Sequence, residues 1–332
     1  MSQLRWGIIG CGDVARKRVA AAIQADPNSF LLAACRRDSD KLQKFCADFN
    51  VENAYTSAAD LIDNNDVNAV YIATPVHEHL AQTLLAARVG KHVLVEKPMA
   101  MTVDECDQMV EECAKQVVTL GVAYYRRFYP VVDRIREVIE SGNIGIPMAA
   151  SVVTGTPFGM QSGEDGFWRG DPRQSGGGSL MDIGSHRLNL LINLFGSVRS
   201  VKAHCNYTPE SYLAENVAAV TVQFQGRVVA NLICLFGTPA DPDEFTVIGT
   251  KGRLTSRPLN DGELEIQIGS DVTTESHPPS DNFNSPLIAD FAAAVAEKRK
   301  PMVSGEEGRE TNEAIERAYI NAGGTGYRDT LW

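Results

Sequence analysis

Residues 4–15 read LRWGIIGCGDVA, and this stretch decides the fold of the first half of the chain. Leu4 to Ile9 is an apolar run that predicts a buried strand, and an apolar pattern at helical spacing follows the glycines. Between them, Gly10, Gly12 and Ala15 form the pattern G-x-G-x-x-A. In this context the glycines let the backbone approach a pyrophosphate, which rests on the helix N-terminus; the alternative is an incidental tight turn. We predict a dinucleotide site formed by Gly10, Gly12, Asp13, Val14 and Ala15.

Strand and helix patterns alternate from the N-terminus to about residue 123. Further buried strands are expected at residues 30–35, 69–73, 93–95 and 117–122. Such alternation predicts a parallel sheet that is covered by helices on both faces. The first domain is therefore expected to be an α/β domain spanning residues 1–123.

The strand that ends at Cys35 is followed by Arg36, Arg37 and Asp38. Enzymes that use NAD place an acid near this position to bind the ribose 2′-hydroxyl, whereas guanidinium groups pair with the 2′-phosphate of NADP. Arg36 and Arg37 therefore favour NADP, and Asp38 keeps NAD open. A solvated basic loop is the alternative interpretation.

Three residues after the strand at 69–73 are expected beside the cofactor groove. Thr74 and Pro75 end the strand, and His79 begins the next helix. A histidine at a helix start more often packs on a turn than acts as a catalyst, and contact with the cofactor is the functional role that we predict for His79.

Residues 93–98 read VLVEKP, an apolar run that stops at an acid, a base and a proline. This pattern predicts a buried strand, and ligands in open α/β sheets bind at the carboxyl ends of strands. We therefore expect Glu96 and Lys97 beside the cofactor. Lys97 is predicted to stand where a nucleotide-binding half and a substrate-binding half meet.

The second half of the chain, residues 124–332, has a different pattern. Strands are expected at residues 149–154, 217–224, 228–236, 244–249 and 264–268, with little helix between them. Gln225 to Arg227 is short enough for a hairpin turn, and strands joined so tightly are antiparallel. This half is predicted to be a second domain built on an antiparallel sheet, with helices at 131–141, 285–298 and 307–322.

The segment 163–195 contains a glycine run, Gly176 to Gly178, and then a helix that is apolar on almost every side. Such a helix should be buried. Asp182 and His186 are four residues apart and so share a face, where the carboxylate can orient the imidazole. A satisfied polar pair in a core is the alternative, but buried ionisable groups are costly. The glycines would let backbone approach a ligand, or would only form a flexible loop, and Gly184 suggests close packing.

Composition narrows the class of protein. The 332 residues carry a formal net charge of −11, which argues against a general nucleic-acid binder. No apolar run approaches the roughly 20 residues that span a bilayer, and no leader pattern follows Met1, so no membrane partner is expected. The seven cysteines show no C-x-x-C spacing, which fits reduced thiols better than disulfides or a zinc site. We expect a cytoplasmic protein without a bound metal.

The sequence resembles the Gfo/Idh/MocA oxidoreductases, a family named after glucose-fructose oxidoreductase and inositol dehydrogenase. The resemblance covers nearly the whole chain. Its motifs are the fingerprint at Gly10 to Ala15, the spacing of Thr74, Pro75 and His79, Gly90 to His92 followed by Glu96, Lys97 and Pro98, Arg127 and Phe128 with Pro130, and Gly176 to His186. The combination of Glu96-Lys97-Pro98, a glycine run and D-x-x-x-H is highly specific, although no single motif is.

The resemblance implies a Rossmann domain followed by an α+β domain with an open, mostly antiparallel sheet, whose exposed face often forms homo-oligomers, here a homodimer or homotetramer. It also implies that Lys97, Asp182 and His186 are the catalytic group, with the nicotinamide near Lys97. Many members have another acid three residues after the histidine, where this chain has Asn189. Tyr125 stands where relatives vary, and is a candidate for substrate selection.

The expected reaction is hydride transfer between NADP, or NAD, and a secondary alcohol or carbonyl of a sugar, a polyol or a related small molecule. It needs a base for the hydroxyl proton and positive charge near the developing alkoxide, and it needs no metal if side chains supply both. We assign His186 as acid/base, Asp182 as its orienting partner and Lys97 as the cation.

Three further residues are predicted to contact the substrate. Trp168 offers an apolar face, with a core position as its alternative, and Arg127 or Arg169 offers a polar clamp. Two other functions stay open. One is a glycoside hydrolase that retains its NAD, and the other is a nucleotide-sensing protein without catalysis.

Overall fold

A computed structural model describes residues 3–159, 164, 166–206, 214–239 and 242–323. Strands in these residues are β1 (Leu4–Ile9), β2 (Ser29–Cys35), β3 (Asn53–Tyr55), β4 (Ala69–Ile72), β5 (His92–Val95), β6 (Leu120–Val122), β7 (Pro147–Thr156), β8 (Val198–Asn206), β9 (Val217–Phe224), β10 (Val229–Phe236), β11 (Asp243–Gly249), β12 (Gly252–Ser256), β13 (Glu263–Ile268) and β14 (Asp271–Ser276). The α-helices are α1 (Ala20–Ala25), α2 (Ser39–Phe49), α3 (Ala58–Ile62), α4 (His79–Arg88), α5 (Val103–Lys115), α6 (Pro130–Glu140), α7 (Pro172–Ser175), α8 (Ser185–Phe195), α9 (Ser285–Glu297) and α10 (Gly305–Asn321).

The chain forms two compact units. The first consists of Met1–Tyr125 with Ser280–Arg309, and the second of Arg126–Pro279 with Glu310–Trp332. This division differs from the predicted domains at residues 280–309, which the sequence placed with the second half.

The first unit is built on a six-stranded parallel sheet with the order β3-β2-β1-β4-β5-β6. The predicted parallel sheet is confirmed. Its central strands β1 and β4 are buried except at Arg5, because they carry mostly apolar side chains on both faces. The strand order reverses between β1 and β4, which is where ligands bind in open α/β sheets. The glycine turn follows β1 and Thr74 follows β4 closely, so both stand at this point.

The segment after residue 280 packs against the same sheet, both on its central strand β1 and at its edge strand β6. The ring of Phe291 in α9 lies 5.3 Å from that of Trp6 in β1, measured between centroids. The N–H of Val122 in β6 donates to the carbonyl of Val303 at 3.1 Å. This segment therefore provides a hydrogen-bond acceptor for the edge strand β6 and packs against the buried indole of Trp6. These contacts explain why it folds with the first unit.

The second unit is built on an eight-stranded sheet with the order β14-β13-β12-β11-β7-β10-β9-β8. Every neighbouring pair is antiparallel except β7 and β10, so the predicted mostly antiparallel sheet is confirmed. Buried and exposed residues alternate along β9 and β10, with one face on the core. The predicted turn at Gln225 to Arg227 does join these two strands as a hairpin.

Some elements differ from the prediction. β3, β8, β12 and β14 were not predicted, and the strand expected at 117–122 begins only at Leu120. Val117 is exposed and has a φ of 56°. This left-handed backbone conformation follows the end of α5 and redirects the chain toward β6. Among the described residues, no helix combines the length and the apolar content needed to cross a membrane.

Candidate functional site

The glycine turn after β1 is held by its neighbours. Gly10 has a φ of 97°, and a Cβ there would lie 2.6 Å from the carbonyl carbon and oxygen of Ala73. Its N–H donates to the carbonyl of Cys35 at 3.0 Å. At Gly12, by contrast, a Cβ would meet no described atom within 4 Å. Gly10 is thus required by the fold, whereas open space at Gly12 fits the approach of a pyrophosphate.

The helix after this turn contains a π-helical turn, Ala15–Val19, which leads into α1. The N–H of Arg16 donates to the carbonyl of Gly12 at 3.0 Å, so the helix begins at the glycine. Val14 is half-buried, and the exposed Asp13 pairs with Lys17 at 2.7 Å. The predicted nucleotide residues therefore share one strand-turn-helix unit.

Replacing Gly10 by alanine is expected to lower the free energy of unfolding by about 2–5 kcal/mol, because the change adds a left-handed φ cost and overpacks Ala73. Binding of NADP should weaken as the turn shifts. Gly142→Ala is the matched control, because Gly142 has a φ of 71° but open space around its Cβ position. Thermal unfolding and cofactor titration of both variants test this prediction, and equal losses would contradict it.

The three residues after β2 make different side-chain contacts. The Arg36 guanidinium donates to the carbonyl of Cys11 in the glycine turn. Asp38 is the N-cap of α2 and accepts the N–H of Lys41 at 3.0 Å. Arg37 is exposed. Arg36 thus supports the turn, Asp38 begins a helix, and Arg37 presents its side chain to solvent.

His79 joins the loop after β4 to the loop after β5. Its Nε2 lies 2.9 Å from the carbonyl of Thr74, and its Nδ1 lies 3.2 Å from those of Pro98 and Met99. Its side chain is 1% exposed, and burial lowers the pKa of His79 to about 4, although the carbonyls oppose this shift. The ring is therefore neutral at pH 7, so its one N–H donates to the carbonyls on one side only, and the side chain is packed among backbone away from solvent. The Thr74 hydroxyl donates to Gln82 Oε1 at 2.9 Å.

The Glu96 carboxylate accepts hydrogen bonds from residues of the first unit. The Tyr71 hydroxyl donates to Glu96 Oε1 at 2.7 Å, and the N–H of Lys97 donates to Glu96 Oε2 at 3.1 Å. Burial and the Glu96 carboxylate raise the pKa of Tyr71 well above its usual value, so its hydroxyl stays a donor. Glu96 thus fixes the peptide of Lys97 at the end of β5, and Lys97 is half-buried.

A pair of aromatic rings that the sequence did not predict lies beside Arg18, in the helix after the glycine turn. The rings of Tyr125 and Phe283 are nearly parallel, with centroids 6.0 Å apart. The guanidinium of Arg18 lies 5.4 Å from the first centroid and 4.9 Å from the second. Tyr125, the candidate for substrate selection, is therefore largely buried by this packing. Phe283 lies far along the chain, and no local pattern marks it.

Asp182 lies on a π-helical turn, Leu180–Gly184, that runs directly into α8, and His186 lies in the first turn of α8. π-helical turns are rare and frequently occur at functional sites. The Asp182 side chain is 21% exposed, whereas His186 is 3% exposed. The predicted buried helix is present, with its two ionisable groups near its beginning.

The structure brings three of the predicted residues of the second unit together. Arg169 Nε lies 3.9 Å from Asp182 Oδ2, and its guanidinium lies 4.8 Å from the centroid of the Trp168 ring. Arg169, a clamp candidate, is thus also an ionic partner of Asp182. Arg127, the other clamp candidate, is 5% exposed.

Asn189 occupies the position where many relatives have an acid. Its side-chain amide donates to the hydroxyl of Thr311 in α10 at 3.1 Å, and both side chains are buried. In this chain the position therefore joins α8 to α10.

The glycine run before the helix approaches its own chain. A Cβ at Gly178 would overlap the carbonyl oxygen of Glu215, and one at Gly177 would overlap the hydroxyl of Tyr319. The close backbone approach that we predicted is present, but its partners are Glu215 and Tyr319 in place of a ligand. Gly184 packs as predicted, since a Cβ there would lie 2.6 Å from Cys234 Sγ.

Two buried groups of ionisable side chains in the second unit were not predicted. The Arg187 guanidinium pairs with the Asp243 carboxylate, and their side chains are 2% and 6% exposed. The Glu215 carboxylate is also buried. The one sequence signal for the pair of Arg187 and Asp243 is Arg187 itself, because a charged residue within an apolar helix needs a partner.

All seven cysteines are free thiols in the structure. Burial raises the pKa of Cys11 and Cys113 to about 12, so these thiols stay protonated. Across the described ranges, no group of three or more His, Cys, Asp or Glu residues is placed to hold a metal ion.

Comparison with known proteins agrees with this geometry. Residues 4–124 match the oxidoreductase family with an NAD-binding Rossmann fold, and residues 132–255 match the GFO/IDH/MocA C-terminal domain. The chain is 30% identical to 1,5-anhydro-D-fructose reductase from Ensifer adhaerens, covering 92% of each protein. It is 28% identical to D-xylose 1-dehydrogenase (NADP(+)) 2 from Haloferax volcanii, covering 96% of this chain and 97% of that one.

Among solved structures, the aldose-aldose oxidoreductase from Caulobacter crescentus, complexed with glycerol, superposes with a TM-score of 0.87 at 27% identity. The match covers 96% of this chain and 97% of that one. The resemblance that the sequence motifs indicated is confirmed. The chain belongs to the GFO/IDH/MocA family of NAD(P)-dependent oxidoreductases.

Proposed function

We propose that this protein transfers hydride between NADP and a secondary alcohol or carbonyl of a sugar or polyol. One observation carries the proposal. Glu96 fixes the Lys97 peptide at the end of β5, which pairs with β4, which in turn pairs with the β1 strand of the glycine turn. The backbone of Lys97 therefore lies at the carboxyl edge of the sheet that also carries the glycine turn, which supports a role for its ammonium group beside the cofactor. The names of the reductase and the dehydrogenase above support a sugar as the substrate.

In the proposed reaction, the bound nicotinamide supplies or accepts the hydride. His186 takes the hydroxyl proton during oxidation and returns it during reduction. Asp182 orients the imidazole, and Arg169 helps to hold the Asp182 carboxylate. Lys97 holds the substrate hydroxyl and stabilises the negative charge that develops on its oxygen.

A screen of sugars and polyols with NADP and NAD, read at the nicotinamide absorbance, tests the function. We expect one mole of NADPH to form for each mole of alcohol oxidised. Cleavage of a glycoside without net change in NADPH would support the glycoside hydrolase instead. Cofactor binding without turnover of any member of the screen would favour the nucleotide-sensing protein.

NADP preference is expected to depend on Arg37. Loss of a charge-assisted contact to the 2′-phosphate should raise the KM for NADP about 10- to 100-fold in Arg37→Ala, with the KM for NAD nearly unchanged. Lys44→Ala is the control, because Lys44 is an exposed cation on the adjacent helix α2. Equal KM changes for both cofactors, or a preference of the unmodified protein for NAD, would contradict the proposal.

We also propose a homodimer or homotetramer that associates through the exposed face of the eight-stranded sheet. This face carries Ile233 on β10 and Ile248 on β11, which are 39% and 42% exposed. Apolar side chains that are exposed on a sheet face favour association between copies. The proposed location is the cytoplasm, where thiols such as the seven in this chain stay reduced.

A further inference from the structure

The Glu215 carboxylate lies just before β9 and binds the backbone that leads into the π-helical turn of Asp182. Its Oε2 accepts the N–H of Gly178 at 2.8 Å, and its Oε1 accepts the N–H of Leu180 at 2.9 Å. The carbonyl of Glu215 accepts the N–H between them, that of Ser179, at 3.0 Å. Three consecutive peptide N–H groups are therefore bound by one residue. These groups belong to the first part of a helical segment, where N–H groups lack partners within the helix.

Tyr319 of α10 completes this arrangement, since its hydroxyl donates to Glu215 Oε1 at 2.9 Å. The glycine run makes the approach possible, because side chains at Gly177 and Gly178 would overlap Tyr319 and Glu215. The glycines, the carboxylate and the tyrosine thus form one unit, which we call the Glu215 anchor (Gly177, Gly178, Leu180, Glu215 and Tyr319). Its members lie far apart in the sequence.

The Glu215 anchor continues directly into the candidate catalytic turn. The carbonyl of Gly178 accepts the N–H of Asp182 at 2.9 Å, and the N–H of the same peptide group, that of Ser179, is the one bound by the Glu215 carbonyl. The carbonyl of Asp182 in turn accepts the Ser185 hydroxyl at 2.9 Å, one residue before His186. We propose that Glu215 is a positioning residue, which fixes the backbone that places Asp182 and His186 for the reaction. This inference rests on the proposed function.

The geometry requires a carboxyl group at this position. A protonated Glu215 can donate to the Tyr319 oxygen and still accept both peptide N–H groups, since each of its oxygens keeps a lone pair toward the backbone. Glutamine cannot do so. Whichever way its amide is turned, its NH₂ group faces the N–H of either Gly178 or Leu180, and the hydrogen bond from that N–H is lost. Glu215→Gln therefore releases one end of the turn without a large change in volume.

The test compares Glu215→Gln with Val222→Ala, a control in β9 that removes buried methyl groups from the same unit. We expect Glu215→Gln to lower kcat about 10- to 100-fold, because small displacements of catalytic groups have effects of this size. The Kd for NADP should not change, since the anchor contains no residue of the first unit. Val222→Ala should lower the melting temperature but keep kcat within about twofold, because the Glu215 anchor is intact in this variant.

Two physical readouts separate positioning from general destabilisation. Amide hydrogen exchange at Gly178 or Leu180, whichever N–H faces the NH₂ group, should become faster in Glu215→Gln and not in Val222→Ala. The second readout is pH dependence. Burial raises the pKa of Glu215 from 4.5 to about 7, against the opposing effect of its three donors. The neighbouring ionisable groups are Tyr319, Cys205 and Cys234, all with raised pKa values and so uncharged, and Arg187 next to Cys234.

Because the pKa of Glu215 is higher in the folded state, its contribution to stability is present below pH 4.5 and is lost as the pH rises through about 7. The difference in melting temperature between the unmodified protein and Glu215→Gln should therefore shrink between pH 5 and pH 8. The corresponding difference for Val222→Ala should stay constant over this range.

His186→Ala is measured in parallel, so that failure of the positioning role of Glu215 can be distinguished from failure of the proposed function. Full kcat in Glu215→Gln with an inactive His186→Ala would overturn the role of Glu215 alone. Full kcat in both would remove the proposed function. If Glu215→Gln does not fold, Glu215→Asp decides, because its shorter carboxylate cannot reach both N–H groups. A low kcat with an unchanged Kd for NADP would support the proposal, and full kcat would overturn it.

Discussion

Alanine at position 186 is expected to lower kcat about 10²- to 10⁴-fold, the range that a general acid/base contributes. His186 is largely buried near the start of α8, so water is a poor substitute for its imidazole. The Kd for NADP should stay the same, because the glycine turn belongs to the other unit. Single-turnover kinetics and cofactor titration measure the two quantities separately.

Lys97→Ala is expected to lower kcat about 10²- to 10³-fold, the usual cost of removing one group that stabilises a developing negative charge. If Lys97 and His186 act in one reaction step, the double variant should be little slower than the slower single variant. Multiplied losses would instead indicate independent roles. The matched controls are His204→Ala and Lys202→Ala, because both side chains are exposed on β8. Near-normal turnover in Lys97→Ala and His186→Ala would exclude the catalytic assignment.

Loss of the Arg187 side chain should lower the free energy of unfolding by about 3–5 kcal/mol, because it leaves a buried carboxylate without its ionic partner. Asp243 keeps only part of its hydrogen bonding in that variant, as its Oδ2 accepts the N–H of Asn260 at 2.7 Å. Calorimetry of the purified protein should therefore show a clear fall in the melting temperature.

The exposed pair Arg257 and Glu244 provides the control. Their charged atoms lie 3.0 Å apart, but the side chains are 67% and 41% exposed. Arg257→Ala should change the free energy of unfolding by no more than about 1 kcal/mol, because water screens such a pair. Similar losses in Arg187→Ala and Arg257→Ala would show that burial of the first pair does not determine its contribution.

Elements that bury apolar side chains were predictable from the sequence. The strands β1, β4, β5, β9 and β10 were all predicted because burial gives each a continuous or alternating apolar pattern. The strand β14 was missed because almost all its residues are exposed at the edge of the sheet, so no burial pattern marks it. β3 is a three-residue edge strand and gives an equally weak signal.

Local motifs identified the candidate site residues, but not the contacts that hold them. The fingerprint turn, Lys97 at a strand end and the pair Asp182 and His186 each lie within a short window of sequence. The residues that hold them by hydrogen bonds are distant in sequence. Glu215 accepts from the backbone of the glycine run, and Tyr71 donates to Glu96. A carboxylate that binds backbone 37 residues away has no periodic signature, so only the folded chain shows it.

The segment 280–309 also limits how nucleotide-binding parts can be exchanged among relatives. A fragment that stops at Tyr125 leaves the Val122 N–H without the carbonyl of Val303, and leaves Trp6 without the ring of Phe291. It also lacks Phe283, one of the two rings next to Arg18. The portable module is therefore two pieces of chain, and any chimera that grafts a new cofactor preference has to carry both.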